Sequence, residues 1–195
     1  MPHLILVKHS LPEIVPMLPA NQWRLSEAGR ARCVLLADQL AHYAPAVLVS
    51  SPEPKAIETA QLLTQRLHTG VQIMDGLHEH DRSNTPWLSP QQFTCAVAAF
   101  FHHPSALVMG RETANQASER FARTVAEVTS GSMEQNVVVV THGTVLALFV
   151  ARATGLEPFA FWNRLGLPSF VVLRFPQIEL ISVVEQIAAD QNGAQ

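Results

Sequence analysis

The amino-acid sequence predicts a three-layer α/β/α sandwich, a mostly parallel sheet with an antiparallel edge strand and helices on both faces. Two observations carry that expectation. Short apolar runs alternate along the chain with stretches of helical apolar spacing. Those runs are apolar throughout, not alternating in polarity, as in strands buried on both sides. With no internal repeat, low-complexity tract or linker, one domain is expected over residues 1–187, and residues 188–195 (AADQNGAQ) read as a frayed tail.

The elements follow in order. His3 to Val7 is the first buried strand, and a loop containing Pro12, Pro16 and Pro19 cannot extend it. Ser26 is placed to cap a helix over residues 27–43. Ala46 to Val49 is a second strand ending in Ser50-Ser51-Pro52, followed by a helix from Glu53 to about Leu67 and a weaker strand from Val71 to Met74. Residues 75–89 are polar and irregular, and with the following residues to about 112 they form an expected cap. Helices are expected over Pro90 to His102 and Thr113 to Thr129. Asn136 to Thr141, with four consecutive valines, is the strongest strand signal, and a helix from Thr144 to Thr154 closes on Gly155. Ser169 to Phe175 and Ile178 to Val184 read as a hairpin, where Pro176 favours an edge position.

Composition narrows the functional classes. Of 195 residues, 48% are hydrophobic and 15% charged, with a net charge of −3, so neither nucleic acid nor an anionic membrane is an expected partner. Cys33 and Cys95 are isolated, which argues against a cysteine zinc site and for reduced thiols. No run is long enough for a membrane span, and the N-terminus lacks signal-peptide features. A cytoplasmic protein is expected.

In open parallel sheets, ligands bind outside the carboxyl ends of the strands. Three strand ends here are polar: Lys8-His9-Ser10, Ser50-Ser51-Pro52 with Lys55 beyond, and Thr141-His142-Gly143. If those strands are neighbours, two imidazoles and two ammonium groups converge. The helix opening at Gly143 would then offer backbone N–H groups to an anion. Such a cluster suits phosphoryl transfer, in which a neutral imidazole attacks phosphorus and cations stabilise the phosphoryl oxygens. A carboxylic acid with a raised pKa would protonate the leaving oxygen. Either histidine alone reads as a structural group at a strand end; their shared position reverses that weighting.

Taken in order, Lys8-His9-Ser10, Trp23-Arg24-Leu25-Ser26-Glu27-Ala28-Gly29, SSPEPKAIETA, Leu77-His78-Glu79 and Val140-Thr141-His142-Gly143 resemble the motifs of the histidine phosphatase superfamily, the phosphoglycerate-mutase-like group. The resemblance implies a phosphohistidine at His9, a phosphate-binding His142 and a proton donor at Glu79. Lys8, Lys55 and Gly143 would bind phosphate. Apart from the resemblance, Ser10, Arg82 and Arg111 are candidates for a substrate rim. The resemblance implies a phosphomonoester hydrolase for a small phosphorylated metabolite, with no cofactor and no metal. The partner would be that substrate or inorganic phosphate, and a homodimer is compatible with it. Lys8 and Lys55 stand where the family has arginines, and Ser10 where it has glycine. Lysine keeps the charge but lacks the bidentate fork, so the geometry should loosen. The alternatives are therefore a degenerate member that binds a phosphorylated ligand without turnover and, less in keeping with the apolar loop LPEIVPM, a mutase. The run HEHDR also allows an ordinary Glu79–Arg82 ion pair, and Glu112 a simple helix-start charge.

Overall fold

A computed structural model of the chain describes residues 2–44 and 46–187; the tail expected at 188–195 lies outside the described residues. Six strands form one sheet: β1 (His3–Lys8), β2 (Ala46–Ser50), β3 (Val71–Ile73), β4 (Asn136–Thr141), β5 (Ser169–Arg174) and β6 (Glu179–Val184). Their order is β3-β2-β4-β1-β5-β6, with the first four parallel and the β5–β6 hairpin antiparallel. The expected antiparallel edge is β6, and Pro176 sits in the turn before it.

Six helices cover the sheet: α1 (Glu27–Leu40), α2 (Pro54–Leu67), α3 (Pro90–His102), α4 (Ala114–Ser130), α5 (Gly143–Thr154) and α6 (Pro158–Arg164). Alternate residues of each strand supply two cores. Ile5, Val7, Val138 and Val140 pack against α1 and α2 through Leu36, Leu40, Ala60 and Leu63. Leu4, Leu6, Val137 and Val139 face the other side and meet Phe100, Phe121, Leu146 and Phe161 of α3, α4, α5 and α6. All four central valines are fully buried, which explains their unbroken run.

The expected caps at Ser26 and Gly155 hold: Ser26 Oγ accepts the Gly29 N–H at 3.0 Å, and Gly155 ends α5 in the left-handed region. Ser89 and Thr113 also cap helices, each in a reciprocal box, with Gln92 and Gln116. Gly29 itself is forced by close approach, because a Cβ there would run into the Leu11 carbonyl oxygen. Residues 75–89 carry neither helix nor strand. Sequence reasoning missed α6. Its signal is Glu157 followed by Pro158: the Glu157 carboxylate accepts the Phe159 and Ala160 N–H groups at 3.0 and 2.6 Å, and proline fits the first helical turn.

The chain runs outward through β1, α1, β2, α2 and β3, then returns across the other face to β4, between β2 and β1. That reversal opens a crevice at the carboxyl ends of β1, β4 and β2.

Candidate active site

Strand register brings the two histidines together. Lys8 pairs with Thr141, so the residues after them emerge side by side, and the His9 N–H donates to the Thr141 carbonyl at 2.9 Å. The two imidazoles meet edge to face with centroids 5.1 Å apart. On the other side of β4, Ser50 pairs with Val140 and the Ser51 N–H donates to the Val140 carbonyl at 2.9 Å. All three expected strand ends therefore share one crevice.

A hydrogen bond assigns the His9 tautomer. His9 Nδ1 lies 2.7 Å from the Ser10 carbonyl, which can only accept, so Nδ1 carries the proton and Nε2 keeps its lone pair. His142 Nε2 lies 2.7 Å from Ser51 Oγ and 3.5 Å from Glu53 Oε1. The Ser51 hydroxyl also accepts the Glu53 N–H at 3.3 Å. His142 Nδ1 is buried without a hydrogen-bond partner among the described residues. Burial first, then the neighbouring His142 and the lysine charges, lowers the His9 pKa well below its ordinary value. Burial and Lys55 do the same to His142. Both rings are neutral near pH 7.

The lysines are anchored more firmly than expected. Lys8 Nζ donates to the Leu165 carbonyl at 2.6 Å, just after α6. Burial lowers its pKa to about 8, against the opposing pull of Glu79. Lys55 Nζ donates to the Ala20 carbonyl at 2.7 Å and to the carboxylate of Glu53. The flexibility expected of lysine stems is thus largely removed by protein acceptors. Gly143 lies against Lys8: a Cβ there would come within 3.0 Å of Lys8 Cε and 3.3 Å of Trp162 Nε1.

Glu79 reaches the crevice but does not show the raised pKa expected of an acid. Its carboxylate accepts the His80 N–H at 2.9 Å and the Thr144 and Val145 N–H groups at 3.1 and 3.3 Å. Burial works to raise its pKa, but Arg82, His142 and these backbone donors outweigh it and the net shift is downward. This corrects the expectation that the N-terminus of α5 awaits an external anion. Glu79 occupies the Thr144 and Val145 N–H groups, leaving the Gly143 N–H outside that set.

The rim residues divide. Ser10 is fully buried, its Oγ donating to the Gly29 carbonyl at 2.7 Å and its N–H bonded to Thr59 Oγ1, so it belongs to the scaffold and not to a rim. Arg111 is exposed, and its backbone N–H holds the Asp81 carbonyl at 2.8 Å. Arg82 forms no ion pair with Glu79 among the described residues; its guanidinium lies 4.7 Å over the Phe93 ring with a buried Nη1 lacking a partner. Its charge acts on Glu79, Lys55 and His142, which places it beside the crevice. Glu112 is a strut: it pairs with Arg120 and accepts the Asp81 N–H at 3.0 Å. The HEHDR side chains diverge, with His78 on the Glu79 carbonyl and His80 stacked on Phe100.

Sequence reasoning missed three contributors. Arg120 of α4 donates to the carbonyls of Gly76, His78 and Glu79 and so fixes the segment that carries Glu79. Ser51 stands at a strand end in the sequence, but its bond to His142 Nε2 needs the observed register. Glu53 is buried among Lys55, His142 and the Glu79 backbone. Only its position next to Ser51-Pro52 hinted at this.

Comparison with known proteins agrees with the geometry. The family model for the histidine phosphatase superfamily (branch 1) matches residues 18–180, which include Glu79 and His142 and begin after His9. A curated relative, the uncharacterized phosphatase PhoE of Bacillus subtilis, is 22% identical over 112 residues, 57% of this chain and 55% of that protein. The chain thus aligns with about half the length of that relative. A mycobacterial glucosyl-3-phosphoglycerate phosphatase in complex with vanadate superposes with a TM-score of 0.77 at 22% identity, covering 97% of this chain and all of that one. A mutant phosphoserine phosphatase from Entamoeba histolytica, in complex with phosphoserine, gives 0.77 at 17% identity over 94% and 97% of the two chains. A putative alpha-ribazole-5'-P phosphatase from Escherichia coli gives 0.72 at 23% identity over 96% and 98%. Among the described residues, no helix is long and apolar enough to cross a membrane.

Proposed function

Because the chain belongs to branch 1 of the histidine phosphatase superfamily, we propose that it hydrolyses a small phosphomonoester through a phosphohistidine at His9. One observation carries the reading. His9 is neutral, and its Nδ1 proton is committed to the Ser10 carbonyl, so the Nε2 lone pair is available for attack.

In the first step, Nε2 attacks phosphorus as the bond to the leaving oxygen breaks, and that oxygen takes a proton from Glu79. The substrate's negative charge raises the proton affinity of the nearby carboxylate. His142 Nδ1–H, Lys8, Lys55, Arg82 and the Gly143 N–H receive the phosphoryl oxygens. In the second step, ionised Glu79 accepts a proton from water, water oxygen bonds to phosphorus, and the P–N bond breaks. The downward pKa shift of Glu79 keeps the carboxylate ionised for this base role.

A generic aryl phosphate tests the mechanism. Brief mixing should give an acid-labile phosphoryl adduct by intact-protein mass, and His9→Ala should lose both the adduct and at least about 10³-fold in kcat. Equal hydrolysis by His9→Ala would rule the mechanism out. A second reading, ligand binding without turnover, draws on the Glu53 carboxylate set against Lys55. Phosphate binding without multiple turnovers would favour it.

A further inference from the structure

Glu53 has no part in the reaction outlined above, yet it is only 7% exposed and lies among the reacting groups. Its Oε2 accepts a hydrogen bond from Lys55 Nζ, its Oε1 accepts the Glu79 N–H at 2.9 Å, and Oε1 lies 3.5 Å from His142 Nε2. It precedes α2 as the N-cap residue, but its side chain makes no cap bond. A glutamine could hold the Glu79 N–H equally well. What the carboxylate adds is a negative charge beside the place for phosphate, where burial makes that charge costly unless Lys55 answers it.

The ammonium of Lys55 has three donors; one is on Ala20, one on Glu53, and one remains. An arriving anion must share Lys55 with a fixed carboxylate. The penalty depends on the anion's charge. A metaphosphate-like group in transit carries less negative charge than the phosphate dianion released at the end. A fixed negative charge therefore destabilises bound product more than the transition state.

We propose that Glu53 is a specificity-determining residue, a counter-charge on Lys55 that weakens the pocket's hold on free phosphate and speeds product release. This inference rests on the phosphate-pocket reading. Titration calorimetry with inorganic phosphate near pH 7 tests both without turnover. Glu53→Gln, which preserves shape and the Glu79 bond, should bind phosphate about tenfold more tightly, with lower kcat and stronger product inhibition. Tight wild-type binding left unchanged or weakened by Glu53→Gln would overturn the inference alone. Absence of phosphate binding in both proteins would remove the phosphate-pocket reading and this inference with it. A second series guards against misfolding: adding Glu53→Leu to Lys55→Met, which replaces the pair by apolar groups, should restore at least about fivefold of the affinity lost in Lys55→Met. Failure of that rescue in a folded double variant would also overturn the proposal.

Discussion

Lys8 and Lys55 do the same formal work at two corners of one pocket, and their surroundings make them different groups. Lys8 ends a strand, and one of its three donors is bound, to the Leu165 carbonyl. Its charge meets no carboxylate at hydrogen-bond distance among the described residues, so burial lowers its pKa to about 8. Lys55 begins a helix, where the dipole disfavours a cation, and two of its donors are bound, to Ala20 and Glu53. Lys8 thus offers more donors and a charge that pH can remove. Lys55 offers one donor, and although burial lowers its pKa too, a fixed carboxylate opposes that shift. The electrostatic character of a binding lysine is set by its acceptors, not by its place in a motif.

Donor counting gives the largest expected contrast. Lys8→Met should weaken phosphate binding about a hundredfold, and joint replacement of Glu53 and Lys55 by Leu and Met only about tenfold, because hydrogen bonds to a charged group contribute about 1.5–3 kcal/mol each. Calorimetry near pH 7 measures both, and equal losses would erase the distinction between the corners.

The titration of Lys8 sharpens the same contrast. With a pKa of about 8, Lys8 is mostly charged at pH 7 and mostly neutral at pH 9 in the empty protein. Phosphate binding should weaken about tenfold over that range. Lys8→Arg should flatten that decline, since arginine stays charged, whereas Lys55→Arg should retain the part due to Lys8. The stability of the empty protein runs the other way. The folded state binds the Lys8 proton less tightly than the unfolded chain, so burial of the charge weakens the fold fully below pH 8. That penalty is relieved between pH 8 and the unfolded value of 10.5. Denaturant titrations should show wild type gaining on Lys8→Met across this window.

The smallest expected effect lies at the Lys55 corner. Ser51→Ala removes the hydroxyl that bonds His142 Nε2 at 2.7 Å. A drop of about fivefold in kcat with little change in KM is expected, because a ring held less firmly donates poorly to the phosphoryl group in transit. A rise in KM alone would mean that His142 serves binding without aiding transfer.

Much of this molecule was legible in advance, and particular residues show why. Four consecutive valines before Thr141-His142 could only be a central strand, and Ser26 and Gly155 mark helix ends by local chemistry. His9, His142, Lys8, Lys55 and Glu79 stood at strand ends or in ordered motifs, and all five meet in one crevice. Short α6 was not legible, since seven residues bear too little periodicity. Nor was the inward turn of Ser10, which depends on a carbonyl nineteen residues away in sequence.

By itself, then, the sequence determined the alternation of elements, the buried faces and which side chains end at the strand tips, because propensity, capping and apolar patterning act over a few residues. Only the tertiary structure decided which nitrogen of His9 holds its proton, which acceptors hold each lysine, and that Glu79 fills the end of α5. Those properties depend on desolvation and on partners distant in sequence. The counter-charge of Glu53 shows this most clearly: two residues from Lys55 along the chain, it acquires its meaning only where β2, β4 and the Glu79 segment close around it.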